Sequence, residues 1–278
     1  MFSYDGMRQH VLADDEFEVL QQLVLDSSGI VLAESSRRSL LDYLSMRMYQ
    51  LHLGCFQAYS ERLLEDSTEL LRLINAATQS YTTFCHDRHH FRFFTNTLLP
   101  ELAKKPEQEL RFWSVGCSTG EEAYSLAMVA QEVLPNIDEW DIAVTATDHD
   151  PEALSTAMKG IYPLSQVRHL PARHLLRWFR SLRIGNEEYV QISPALQQVV
   201  AFRRLNLLSD WTLPEPQDVI FCRDTLIYFD MPKRAYLIDR LADSLEPGGY
   251  LFVGESDRVD IYSDRFEALG NAIFRRCD

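Results

Sequence analysis

Residues 112–122, Phe-Trp-Ser-Val-Gly-Cys-Ser-Thr-Gly-Glu-Glu, set an apolar run, a short turn between two glycines and the opening of a helical pattern in immediate succession. Phe112, Trp113 and Val115 read as the end of a strand, and apolar residues recur at helical spacing from Glu122 to Leu134. A strand fed through a glycine turn into a helix N-terminus presents backbone N–H groups to an anionic ligand. The spacing is G-x-x-x-G, not the G-x-G-x-x-G of dinucleotide folds, and no Gly-Lys-Ser/Thr follows, which excludes a nucleotide-triphosphate loop. Gly116 is therefore a candidate ligand contact. An ordinary strand-to-helix turn satisfies the same pattern.

The rest of the chain has two textures. Up to about residue 95 it reads as helices. One starts at Asp14-Asp15-Glu16 and carries Phe17, Leu20, Leu23 and Val24. A second, capped by Ser35-Ser36, runs from Arg37 to about Leu53 and is ended by Gly54. Two more cover about 56–65 and 68–77. From about 110, strand-like runs (111–115, 141–147, 219–222, 250–254) alternate with helices (120–134, 151–159, 231–245), with Pro247-Gly248-Gly249 as a turn before the last strand. That alternation predicts a doubly wound, mostly parallel α/β sheet whose ligand lies outside the carboxyl ends of the strands, near Gly116, Asp148 and Arg223. Tyr189–Ser193 and Val199–Leu205 read as short strands, predicting a small antiparallel β-insertion at about 180–205. The expected organisation is an all-α N-terminal domain with its linker over 1–95 and an α/β domain over 96–278.

Composition narrows the function classes. At 278 residues, 46% hydrophobic and 24% charged, the chain is an ordinary globular protein. No apolar run approaches the ~18–20 residues that span a bilayer, and the start Met1-Phe-Ser-Tyr-Asp-Gly lacks the basic and apolar pattern of a signal peptide. The five scattered cysteines read as reduced thiols of a cytoplasmic protein. A net charge of −14 argues against nucleic-acid binding and against attraction to anionic lipid.

Several residues stand out as candidates. Asp148, ending the second strand, suits either ribose hydroxyls or the N-cap of the helix at Pro151. Arg223-Asp224 ends a buried strand, where an unpaired charge is costly, so the pair is either functional or a surface salt bridge. Tyr228 follows one turn later. His86 and His90 are four apart within 84–91, as zinc ligands on a helix are, but no further ligand cluster accompanies them and the reading is no metal. Arg37, Arg38 and Arg47 cluster on the second helix, as a solvated face or a docking face.

Taken in order, these blocks resemble the CheR family of chemotaxis receptor methyltransferases over nearly the whole chain. Trp113-Ser114 through Ser118-Thr-Gly-Glu-Glu122, Thr147-Asp148 with Gly160-Ile-Tyr162, Phe202–Leu207, and Phe221-Cys-Arg223 through Ile227-Tyr-Phe229 with Pro247-Gly-Gly249 carry the likeness. It implies a Rossmann-like methyltransferase domain that uses S-adenosylmethionine, with S-adenosylhomocysteine as product, to esterify glutamates in the cytoplasmic helical bundle of a methyl-accepting receptor. It places Ser80, Thr82, His86, Glu121 or Glu122, Asp148, Asn206, Leu207, Arg223 and Asp224 at the cofactor. Arg223, Tyr228 and His86 fall near the chemistry, and Arg37, Arg38 and Arg47 fall on the receptor-contacting helix.

One stretch departs from the family pattern. Where the family usually reads Asn-x-Thr-x-Phe-Phe-Arg, this chain has Ser80-Tyr-Thr-Thr-Phe-Cys-His86, which exchanges a permanent cation for a titrating imidazole. Asp224 also stands where the family has asparagine. The alternative expectation is a cofactor-binding signalling adaptor with weak or no methyl transfer. The short insertion, with Gly185 alone as its turn glycine, predicts no binding of a receptor C-terminal pentapeptide.

Overall fold

The computed structural model describes residues 12–78, 82–85, 88–254, 257, 259 and 263–277. The chain forms two units: residues 1–79 with Tyr228–Met231, and residues 80–227 with 232–278. His86 and Ser80 lie outside the described residues.

The first unit is all helical: α1 (Asp14–Ser28), α2 (Arg37–Gln50), α3 (Phe56–Glu65) and α4 (Ser67–Thr78). Helix α1 begins where Asp14, Asp15 and Glu16 meet the positive end of the helix dipole, and Glu16 reaches back to the Ala13 N–H at 3.0 Å. It buries Phe17, Leu20 and Val24. Helix α2 stops three residues before the expected Leu53. His52 takes the left-handed conformation (φ 56°) and the Leu53 N–H closes onto the Met48 carbonyl at 2.9 Å, so the cap forms ahead of Gly54. Ser36 precedes α2 without a side-chain capping bond. The segment Tyr228–Met231 joins this unit through the Val31 N–H to the Tyr228 carbonyl (2.6 Å) and Tyr228 Oη to the Thr78 carbonyl (3.0 Å).

A buried ion pair fastens α2 to α4. Arg47 donates from Nε to Glu69 Oε1 at 2.9 Å and from Nη2 to Oε2, while Tyr59 Oη donates to Oε1 at 3.0 Å. The Glu69 side chain is 2% exposed. Burial pushes its carboxyl up, but the bonds from Arg47 and Tyr59 outweigh it and hold the group below its ordinary value.

In the second unit, α5 (Arg88–Phe93) passes through a π-turn at Phe94–Leu98 into α6 (Leu99–Leu102). Strands β1 (Glu109–Val115) and β2 (Asp141–Asp148) flank α7 (Glu121–Val133), and α8 (Pro151–Lys159) follows. Then come β3 (Ile161–Pro163), α9 (Ala172–Trp178), β4 (Phe179–Ile184), β5 (Glu187–Ile192), α10 (Pro194–Val199) and β6 (Val200–Arg204). The chain ends with β7 (Gln217–Cys222), α11 (Met231–Ser244), β8 (Leu245–Val253), β9 (Phe266–Gly270) and β10 (Ile273–Arg276). The large sheet has the order β6-β2-β1-β7-β8-β10-β9. Its first five strands are parallel, and β10 and β9 close it antiparallel. The chain winds outward from β1 to β6 and then returns to β1's other side as β7, which puts the switch point between β1 and β7. Every residue of β7 is buried, as a central parallel strand requires.

The insertion is real but its limits differ from those expected. The small antiparallel sheet, β3-β5-β4, spans 161–192. Val200–Arg204 is instead the parallel edge strand of the large sheet, paired with β2 from Val144 to Asp148, because α10 supplies the crossover a parallel neighbour needs. Pro247-Gly248-Gly249 lies within β8 at a register shift against β7, not ahead of the strand. Among the described residues no helix is long and apolar enough to cross a membrane.

Replacing Arg47 with Met in the full chain removes both Arg47 bonds to the buried Glu69, leaving it the Tyr59 hydroxyl and Arg72 Nη1 at 3.5 Å, and is expected to cost about 1.5–3 kcal/mol in chemical denaturation. The exposed Arg38, changed to Met, is expected to stay within about 0.5 kcal/mol. Equal losses from the two would contradict this role for Arg47.

Candidate cofactor and active site

The loop after β1 is stitched to the end of β2. The Gly116 and Cys117 N–H groups donate to the Thr147 carbonyl at 2.8 and 3.0 Å, and the Ser118 N–H donates to Asp148 Oδ2 at 2.8 Å. Gly116 (φ 69°) cannot carry a side chain here: a Cβ would sit 2.3 Å from Thr225 Oγ1, at the end of β7. Gly120 (φ 95°) is constrained by Ala157 Cβ, 2.8 Å from where its own would lie. The G-x-x-x-G spacing thus reports close packing of two strand ends and a helix.

Asp148 holds the loop rather than capping a helix. Its Oδ1 accepts from the Asp150 N–H (2.9 Å) and lies 3.2 Å from His149 Nδ1, and its main-chain carbonyl accepts from the Leu205 N–H at 2.9 Å. The N-cap at Pro151 is Asp150, which accepts from the Glu152 N–H. Burial raises the Asp148 carboxyl, but His149 and the two backbone N–H donors outweigh it and hold the group low.

The two glutamates that open α7 separate here. Glu122 lies across the switch point. It accepts from Ser114 Oγ on β1 at 2.7 Å and from Arg223 Nη1, just past β7, at 3.1 Å. The Arg223 and Glu122 side chains are 5% and 13% exposed. Glu121 is buried, and its two oxygens accept from Thr119 Oγ1, at 2.9 and 2.7 Å, with a further bond from its own backbone N–H. Burial pushes its carboxyl up to about 7, with little opposition from that hydroxyl.

The remaining candidates distribute as follows. Asp224 is exposed, in left-handed conformation (φ 52°), beside Gly254 and Asp257. Asn206 is exposed and its side chain accepts from the Leu208 N–H, while Leu207 is buried. Thr82 is half-buried. Arg37 is bound within its own unit, to Asp14, Glu34 and the Leu12 carbonyl, and Arg47 is bound to Glu69. Arg38 is exposed. His90 is buried with Nε2 on the Asn271 carbonyl at 2.8 Å.

Sequence reasoning passed over Ser114, Thr225 and Asp257. A fully buried serine in a strand is a legible signal once its neighbours are known. Asp257 has none in the sequence, yet it is buried, accepts from the Gly254 N–H at 3.1 Å, and is pushed up to about 6 by burial.

Glu121 makes stability depend on pH. Its folded value of about 7 lies above its ordinary 4.5, so its contribution is whole below about 4.5 and is lost as pH rises through about 7. Glu121→Gln is expected to flatten this slope, so that the wild type loses melting temperature relative to the variant between about pH 5 and 8. Parallel profiles would contradict the assignment.

Two family models match the chain in order. The all-alpha domain of CheR methyltransferases matches residues 15–78, and the SAM-binding domain of CheR methyltransferases matches residues 80–274. Chemotaxis protein methyltransferase 2 of Pseudomonas aeruginosa is 34% identical over 273 residues, covering 97% of this chain and 95% of the relative. The chemotaxis protein methyltransferase of Escherichia coli is 34% identical over 267 residues, covering 95% and 91%. With both domains matched and this identity sustained along the chain, the protein belongs to the CheR methyltransferase family, and its α/β unit is that family's S-adenosylmethionine-binding domain.

Proposed function

We propose that this chain is a protein-glutamate O-methyltransferase that esterifies glutamates on the cytoplasmic helical bundle of a methyl-accepting chemotaxis receptor. The observation that carries the reading is that the helical and the cofactor-binding family models both match, in order and over most of the chain. The residues at the switch point fit S-adenosylmethionine chemically. A ligand with ribose hydroxyls, an ammonium and a carboxylate suits Asp148, Glu122 and Arg223.

When bound, the cofactor supplies a methyl group already activated by its sulfonium. A substrate glutamate, with an ordinary pKa of about 4.3, is already a carboxylate at neutral pH. The protein therefore needs no general base, and its work is alignment and exclusion of water. In this reading Glu122 and Arg223 fix the amino-acid end of the cofactor and Asp148 its ribose, with Asn206, Leu207 and Asp224 lining the site. The resemblance to the family assigns Ser80, Thr82 and His86 to the cofactor and Tyr228 to the chemistry. Glu121 supports the loop from beneath. The helical N-terminal region, about residues 1–95, recognises the receptor, with Arg38 as its exposed cation, and receptor docking localises the enzyme from the cytoplasm to the membrane.

The linker substitutions favour a second reading, a cofactor-binding adaptor with weak transfer, because His86 replaces a permanent cation. Transfer of labelled methyl to receptor-containing membranes of the same organism, read as base-labile methanol, separates the two. Labelling is expected. Its absence with cofactor binding intact would overturn the enzyme reading. If His86 limits turnover, His86→Arg raises the rate several-fold, and an unchanged or lower rate would contradict that limit.

A further inference from the structure

The cofactor loop is held from a direction that the reaction does not explain. Tyr162, on β3 of the small sheet, is 1% exposed and its Oη donates to the Thr119 carbonyl at 2.6 Å. The Thr119 hydroxyl is in turn engaged by Glu121, so the last turn of the Gly116–Gly120 loop is pinned on both its main chain and its side chain. The same Tyr162 ring meets Phe84 edge-on at 5.1 Å, and Phe84 meets Phe179 of β4 at 5.3 Å. His169, between β3 and β4, has Nε2 2.8 Å from the Phe84 carbonyl. The Cys85 N–H donates to Ser125 Oγ, which donates to the Glu121 carbonyl. The β-insertion therefore grips two separate pieces, the cofactor loop and the linker two residues ahead of His86. Tyr162 is the residue that takes part in both grips, with Phe179 and His169 adding to the hold on the linker.

We infer that Tyr162 is a positioning residue through which the β-insertion sets the geometry of the cofactor loop, so that the packing of the insertion and the affinity for cofactor are coupled. The inference rests on the proposed cofactor site. A part-buried carbonyl that loses its donor is costly, and the loop relieves that cost by leaving the conformation in which Gly116, Cys117 and Ser118 are bonded to Thr147 and Asp148 beside the site. Coupling of this kind is reciprocal: whatever the insertion does for cofactor binding, cofactor binding does for the insertion.

The test uses the full chain and S-adenosylhomocysteine as probe. Calorimetry should show wild-type binding, and Tyr162→Phe should weaken it roughly five- to thirtyfold. In methyl transfer the variant should raise KM for S-adenosylmethionine while kcat and the KM for receptor hold, a split that general loss of structure does not produce. A second measurement needs no variant. Hydrogen exchange of the wild type should slow on adding S-adenosylhomocysteine at β3 and its partner β5, as well as in the loop. Wild-type binding with an unchanged Tyr162→Phe affinity, or protection confined to the loop, would overturn the coupling. A wild type that does not bind S-adenosylhomocysteine would overturn the cofactor site itself.

Discussion

Glu122 and Arg223 come from opposite sides of the switch point, one at the start of α7 and the other just past β7, and meet almost wholly out of water. Breaking a buried charge pair of this kind typically costs about 3–5 kcal/mol. The pair therefore requires β1 and β7 to be adjacent and α7 to start where it does. Gly116 enforces the same adjacency sterically, because only a residue without Cβ lets Thr225 approach. Ser114 completes the arrangement from within β1. These short-range demands, one electrostatic and one steric, fix the place where the Gly116–Gly120 loop, the Glu122 carboxylate and the Arg223 guanidinium come together.

The second ring of support lies outside that pair. Asp148 secures the loop from β2, Tyr162 from the insertion and Glu121 from the start of α7. The loop is thus determined by contacts spread over more than a hundred residues, from Ser114 to Thr225. This explains how a turn of five residues keeps one conformation with left-handed backbone at Gly116, Ser118 and Gly120. In the helical unit the Arg47–Glu69 pair serves an analogous purpose by fastening two helices.

What the sequence revealed follows from which interactions are local. Alternating apolar runs gave the parallel strands and their helices to within a few residues, since burial on both faces leaves a plain hydrophobic signature in β7. The glycine spacing and Arg223 pointed to the switch point for the same reason. Partners set by tertiary contact were not legible. Nothing local separates Glu121 from Glu122, yet one is buried on a hydroxyl and the other paired with a guanidinium. Nothing local tells that Arg47 turns inward, or that Val200–Arg204 joins β2 rather than the small sheet. His52 took the helix-ending role expected of Gly54, with the Leu53 N–H closing onto the Met48 carbonyl ahead of the glycine.

The central claim is that the Glu122–Arg223 pair acts as one unit in holding the cofactor site. A double-mutant cycle of Glu122→Gln and Arg223→Met, with S-adenosylhomocysteine affinity read by calorimetry in the full chain, tests it most directly. The account predicts that each single change weakens binding more than about tenfold and that the double variant is little worse than the weaker single, a coupling above about 1 kcal/mol. Losses that simply add, or affinities that do not move, would contradict it.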